Sequence, residues 1–294
     1  MNFPFGEISG TYEIYRNQQL DNEFRLDCEV TFMEDGKTAE KLEWSVDGGI
    51  LRLRDGDGTV AYEFIGVEMV NGIVAASGFY RYQGVPERVV MCKRLLLSEV
   101  KWRICVSSHP KNEKDVMPKL IKSMKQAGVD LSAVTVVVGS VPYAEAFSRK
   151  SSDGISYVST DINLKGLTSL SKVCNEGVEY HFMMHDTCTV AEDFMARMGA
   201  ISLGLHPDIV LFRPPSEGLD MGVYSESFLE EQDDLVSIQD RDRFDTLWRR
   251  AEVAVIMPGI KVVRSPQDHY HNKVLRAEWK MSRVGVSKLK RIGR

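Results

Sequence analysis

The chain has 294 residues, 43% of them hydrophobic and 27% charged, with a formal net charge of −5 and a pI near 5.8. That length holds one large or two ordinary domains with a substantial core, and the acidic balance argues against nucleic acid as the main partner. Five cysteines without a C-x-x-C pair fit neither a zinc ribbon nor a disulfide framework; with no basic-then-apolar leader and no apolar run near ~18 residues, a soluble cytoplasmic protein is expected.

Residues 1–96 read as one all-β unit, a small barrel or sandwich. Strands are predicted over Ile8 to Tyr15, Phe24 to Phe32, Leu42 to Val46, Ile50 to Arg54, Val60 to Ile65, Ile73 to Tyr80 and Arg88 to Cys92, each rich in β-branched and aromatic residues. Tight-turn signals fall between them: Asp35-Gly36, Asp47-Gly48-Gly49, Asp55-Gly56-Asp57-Gly58 and Asn71-Gly72. The run from Asp55 to Gly58 lacks the bidentate Glu of a calcium loop at its twelfth position, and a hairpin explains its glycines. The unit carries no catalytic pattern, and its aromatics read as core or as a carbohydrate-stacking surface. The sequence alone implies that it closes on itself and folds independently.

From Lys101 the pattern changes to alternating strands and helices. Strands are expected over Trp102 to Ser107, Val134 to Val138, Ile155 to Ser159 and Tyr180 to Met184, with helices over Glu113 to Gln126, Leu164 to Cys174 and Thr189 to Met198. Such alternation implies a mostly parallel, Rossmann-like α/β sheet with helices on both faces and ligands at the carboxyl ends of its strands. The stretch Tyr180 to Cys188 then delivers His185, Asp186 and Thr187 to that edge, where Asp186 either binds a ligand or opens the next helix as a cap.

Ser107-Ser108-His109-Pro110-Lys111-Asn112-Glu113, followed by Leu120 to Met124, resembles the opening of family 2-type glycosyltransferases of the GT-A fold. Asn163-Leu164-Lys165-Gly166 is similar to the turn ahead of their metal strand, and Tyr180 to Thr187 stands where they carry an Asp-x-Asp strand. Asp220 to Glu230 looks like their acceptor-side strand and helix, Glu230 to Asp234 their acidic pair, Asp245 to Ala254 their long helix, and Gly259 to Val263 their last strand. The resemblance covers about residues 101–272, and the shared order of the motifs carries it. The chain departs from the family in having Gly139-Ser140 where aspartates usually hold the nucleotide, and in keeping a single carboxylate of Asp-x-Asp.

The resemblance implies a nucleotide-sugar donor contacted by Ser107, His109, Asn112, Gly139, Asp161, Asn163 and His185, and a glycan or lipid-linked acceptor contacted by Glu217 and Asp220. It implies Asp234, or else Asp233, as the base of an inverting transfer. Asp186 with His269 and His271 would hold Mn²⁺ or Mg²⁺, hard ions that offset charge on a departing diphosphate. From Lys273 to Arg294 eight basic residues stand against Glu278 alone, interleaved with apolar ones, a pattern suited to peripheral contact with an anionic bilayer or to clamping phosphates. Two other readings stay open: a nucleotidyltransferase, although Ser107 to Asn112 lacks the glycine of a phosphate loop, and a non-catalytic carbohydrate-binding or scaffold protein on a transferase-like fold.

Overall fold

A computed structural model describes residues 8–17, 23–81, 86–110, 114–139, 148–159, 177–211, 222–232, 249–256, 261–263, 275–276 and 278–280. The helix expected over Leu164 to Cys174 and most of the basic tail lie outside the described residues.

The first seven strands are β1 (Gly10–Asn17), β2 (Glu23–Phe32), β3 (Glu43–Asp47), β4 (Ile50–Arg54), β5 (Val60–Val70), β6 (Ile73–Tyr80) and β7 (Glu87–Lys93). They pair antiparallel in the order β2-β1-β7-β6-β5-β4-β3. The two ends of this ribbon are drawn together by isolated bridges, Phe32 with Thr38 and Lys37 with Glu43. The inward residues from all seven strands, among them Ile14, Val30, Leu51, Tyr62, Phe64 and Met91, share one apolar core. β5 runs five residues beyond the expected end at Ile65, because Val67, Met69 and Val70 continue to pair with β6 up to the Asn71-Gly72 turn. A bulge between Phe64 and Gly66 bends that pair, and Gly78 sits opposite it with its Cα pressed against the Glu63 carbonyl, where any Cβ would overlap. At the Asp55 turn the carboxylate accepts the Thr59 amide at 3.0 Å, the local bond that fixes this hairpin.

The remainder of the chain adds β8 (Trp102–Ser108), β9 (Val134–Val138), β10 (Ser148–Lys150), β11 (Ser156–Ser159), β12 (Tyr180–His185), β13 (Cys188–Thr189), β14 (Ile209–Leu211), β15 (Gly222–Ser225) and β16 (Ala254–Ile256). Among the described residues helices are few: α1 (Met117–Gln126), α2 (Phe194–Gly199) and α3 (Glu226–Glu230), with two short 3-10 turns. The expected helix start at Glu113 moves to Met117, since Pro118 has no amide hydrogen and is accommodated only in the first turn. The helix expected from Thr189 begins at Phe194 instead, because Cys188 and Thr189 pair with Leu275 and Arg276 as a short parallel strand. Neither Asp186 nor Thr187 therefore caps it. Nor does a helix run through Ala254, which already belongs to β16.

β11, β9, β8 and β12 are parallel neighbours, but β15 joins β12 antiparallel, so the sheet is mixed rather than mostly parallel. It is also continuous. β14 pairs with β15 and β16, and β16 pairs in parallel with β2, giving one sheet of 15 strands that includes the first seven. Strand alternation makes this join apolar: Ile14, Ala76 and Met91 face the core of the first unit, whereas Tyr15, Leu26, Ala75, Val90 and Cys92 face the larger core containing Val106, Val136, Phe182 and Val255. No helix among the described residues is long and apolar enough to cross a membrane.

One polar group lies on that shared face. Glu13 is fully buried, accepting the Tyr15 hydroxyl at 2.6 Å and the Gly204 amide at 3.1 Å. Gly204 is required there, since a Cβ would collide with the Glu13 carboxyl and crowd Cys92. Burial pushes the Glu13 pKa up to about 7, against the pull of the Tyr15 bond. The folded chain thus holds a proton that the unfolded chain releases near 4.5. The resulting stability is complete below that value and is lost as pH rises through about 7, by roughly 3 kcal/mol at 1.36 kcal/mol per unit. The melting temperature is expected to fall between pH 5 and 7.5, and Glu13→Gln, which keeps shape but cannot ionise, should flatten that slope. An unchanged slope in the variant would assign the pH dependence to another group.

A second expectation concerns the join itself. A fragment starting at Leu97 removes β2 from β16 and uncovers the face that Tyr15, Leu26 and Val90 bury. It should bind a hydrophobic dye and melt well below the full chain; a fragment with full-length stability would show the join to be dispensable.

Candidate functional site

The four parallel strands follow the chain order β8, β9, β11, β12, but lie in space as β11-β9-β8-β12. The sheet therefore grows outward in one direction from β8 and then restarts on its other side, making β8 and β12 the point where the strand order reverses. In open α/β sheets ligands bind outside the carboxyl ends of the strands at such a point.

The residues at those ends are Ser107, Ser108 and His109 from β8, Gly139 after β9, and His185 and Asp186 from β12. Asp186 is 3% exposed. Its Oδ2 accepts the Ser108 hydroxyl at 2.7 Å and the His109 amide at 3.3 Å, and its own amide donates to the Ser107 carbonyl at 3.0 Å. The Gly139 amide donates to the Ser108 carbonyl at 3.0 Å. Three strand ends are thus tied through Ser107 and Ser108, both buried, while His109 is exposed and His185 half-buried. A hydrogen bond to a carboxylate contributes about 1.5–3 kcal/mol, so Asp186 holds the turn after β8 in place.

Behind these residues the packing is apolar. Met117, Leu120 and Met124 of α1 are buried in the larger core, Phe194 of α2 packs its ring 5.5 Å from Phe182 of β12, and the Ser123 hydroxyl accepts the Val190 amide at 3.0 Å. The strand ends are held from below by close packing on the sheet face, the arrangement that keeps polar groups at an edge in fixed positions.

Ser107, His109, Gly139, His185 and Asp186 stand at neighbouring strand ends. Asn112, Asp161, Asn163, Glu217, Asp220, Asp233, Asp234, His269 and His271 lie outside the described residues. Among the described residues no three His, Cys, Asp or Glu side chains converge on a point that would hold a metal ion. Ser108, which donates to Asp186 at 2.7 Å, was not singled out in the sequence. Its signal is the paired Ser107-Ser108 closing an apolar strand, where both hydroxyls need partners once buried. A second polar position inside the sheet, His181, sits in the otherwise apolar run of β12 and lies toward the opposite edge from Asp186.

No family model matches the chain, and no curated protein matches it. Among solved structures, that of S. aureus TarS residues 1–349 is similar at 12% identity with a TM-score of 0.38, over 53% of this chain and 58% of that one. The chain therefore spans little more than half of that structure, and the likeness is too slight to fix either fold or function.

Proposed function

We propose that the chain is a glycosyltransferase that takes a nucleotide-sugar donor at the carboxyl edge of β8, β9 and β12 and passes the sugar to a glycan or lipid-linked acceptor. The observation that carries this reading is Asp186, buried and hydrogen-bonded beside Ser108 and His109 where the strand order reverses. The ordered motifs between Ser107 and His271 support it from the sequence. Ser107, His109, Gly139 and His185 would meet the donor; Asn112, Asp161 and Asn163 are its further contacts in this reading.

A diphosphate leaving group needs its developing charge offset. Mg²⁺ needs only one or two protein carboxylates beside phosphate and water, and that suits a lone Asp186 better than an all-protein cage would. His269 and His271 are the further ligands proposed, and they would turn preference toward Mn²⁺. The ion would supply charge neutralisation at the departing phosphate. The base that takes the acceptor proton is Asp234 or Asp233, with Glu217 and Asp220 on acceptor hydroxyls.

The burial of Asp186 favours a second reading, in which it is a fastener between β8 and β12 on a carbohydrate-binding protein without turnover. One pair of variants separates the two. Asp186→Asn keeps an oxygen for Ser108 and His109 but removes the charge, whereas Ser108→Ala keeps the charge and removes the strongest tie. If donor phosphates are met here, Asp186→Asn lowers Mg²⁺- or Mn²⁺-dependent binding of nucleoside diphosphates, read by thermal shift, by about tenfold or more, with the melting temperature of the free protein little changed. A fastener gives the reverse pattern: lower melting temperatures and unaltered nucleotide response.

The base assignment is tested separately. Asp233→Asn and Asp234→Asn keep size and lose basicity, and one of them should lower the transfer rate by about 10²-fold or more with donor affinity near normal. Parental rates in both would move the base to another acid or remove the need for one.

A further inference from the structure

The turn from Ser202 to His206 lies between α2 and β14, and the first unit holds it at two points. Glu13 of β1 accepts the Gly204 amide at 3.1 Å, and the Asn71 side chain of the β5–β6 turn donates to the His206 carbonyl and, at 3.2 Å, to Asp208 Oδ1. Backbone bonds join the start of the turn to the segment that leaves β7: the Leu203 amide donates to the Leu95 carbonyl at 2.8 Å, and the Leu97 amide to the Ile201 carbonyl at 2.9 Å. The His206 amide closes the turn on the Leu203 carbonyl at 2.7 Å and places His206 at φ 47°. Side chains other than glycine rarely adopt that left-handed region, so the turn persists because its surroundings hold it.

At the Glu13 point two buried polar atoms lack partners. Glu13 is fully buried and Ser202 is 1% exposed. Oε2 of Glu13 takes both the Tyr15 hydroxyl and the Gly204 amide, whereas Oε1 has no hydrogen-bond partner, and neither has the Ser202 hydroxyl. Ser202 is near enough to act on the Glu13 carboxyl. A buried carboxylate needs donors on both oxygens, while a carboxylic acid needs an acceptor for its one hydrogen. The Ser202 hydroxyl meets that second need, and both orphaned atoms are then satisfied.

The groups packed around the carboxyl disfavour its ionised form. Burial is the largest cause, hydrogen bonding pulls the other way and is outweighed, and Glu29, opposite Glu13 on β2, adds to burial; Arg94 lies 3.8 Å from Glu29. On the other side Cys92 of β7 stands opposite Glu13, and burial holds its thiol and the Tyr15 phenol neutral. The second unit brings the uncharged Ser202 and Gly204 among Ile201, Leu203 and Leu205, all buried.

We propose that the 202–206 turn is a proton-operated clasp: protonated Glu13 donates from Oε1 to the Ser202 hydroxyl and holds the turn against β1, and once Glu13 ionises the turn opens locally while Asn71 and the shared sheet keep the two units together. Opening lets water reach the carboxylate, and that hydration favours the open form. The closed turn keeps the proton up to about pH 7, the open turn only to about 4.5. Opening is therefore suppressed below about 4.5, rises about tenfold per pH unit until about 7, and levels off above it. The clasp does not depend on donor chemistry at Asp186.

Hydrogen exchange of the full chain between pH 5 and 8, followed by NMR and corrected for intrinsic rates, tests this. Protection of the Leu203, Gly204 and His206 amides should fall about tenfold per unit from pH 5 to 7 and then level off. It should stay at least about tenfold below that of Leu53 and Tyr62 in the first core, which report global unfolding. Glu13→Gln, whose amide can still donate to Ser202, should make the turn's protection independent of pH, and Asn71→Ala should lower it equally at every pH. The Glu13 carboxyl carbon should titrate near pH 7, and Ser202→Ala, by removing the acceptor of the acid form, should lower that midpoint. Turn amides that exchange only as slowly as Leu53 and Tyr62 would overturn the clasp and leave the pH dependence of global stability standing. Opening that still rises with pH in Glu13→Gln, or a midpoint that Ser202→Ala leaves unchanged or raises, would overturn the role given to the proton.

Discussion

Strand β2 is hydrogen-bonded on both edges, to β1 on one side and to β16 on the other, and the neighbouring strands β1, β6 and β7 bury both of their faces. The organisation of the chain follows from that constraint. A strand with one wet face tolerates polar residues at every second position, but these strands alternate Ile14 with Tyr15 and Met91 with Val90 and Cys92, apolar on apolar. A one-residue slip would exchange the two cores and drive Glu13 into the first, so register is strongly specified. The bulge between Ile14 and Tyr15 in the β1–β2 pair adjusts the twist where the ribbon leaves its closed arrangement and enters the open sheet.

Buried polar groups at the join and on β12 are accommodated in different ways. Glu13 is kept in the interior by raising its pKa, with two donors and a glycine contact shaping its place. Asp186, at a strand end, likewise accepts two hydrogen bonds, from Ser108 and His109. His181 is held neutral by burial. For Glu13 and His181 desolvation penalises the charged form, and the two hydrogen bonds to Glu13 offset only part of it.

The two edges of the sheet consequently differ in chemistry. At the carboxyl edge one carboxylate among the described residues, Asp186, sits among hydroxyls and amides. At the amino edge Glu179, Glu226 and Glu230 line a cavity, and the buried His181 stands behind Glu226. Because β12 spans both, its apolar middle, Phe182 to Met184, is fully buried and keeps the two edges apart.

The sequence by itself determined the local elements. Ile50–Arg54, Ile73–Tyr80 and Val134–Val138 appear with the expected bounds, since turn residues and β-branched runs are local signals. It also determined that Ser107, His109, Gly139, His185 and Asp186 end neighbouring strands, because strand ends in an alternating pattern gather at one edge. Tertiary structure alone decided that the two halves share a sheet: the three-residue strands Ile209–Leu211 and Ala254–Ile256 are too short to show periodicity and exist because β2 and β15 offer them partners. It likewise decided the helix start at Phe194, where pairing of Cys188 and Thr189 with a distant segment overrides local helical spacing. Gly204, which donates to Glu13, and Glu226, which faces His181, lie 191 and 45 positions away along the chain, and no local pattern encodes a contact at that separation.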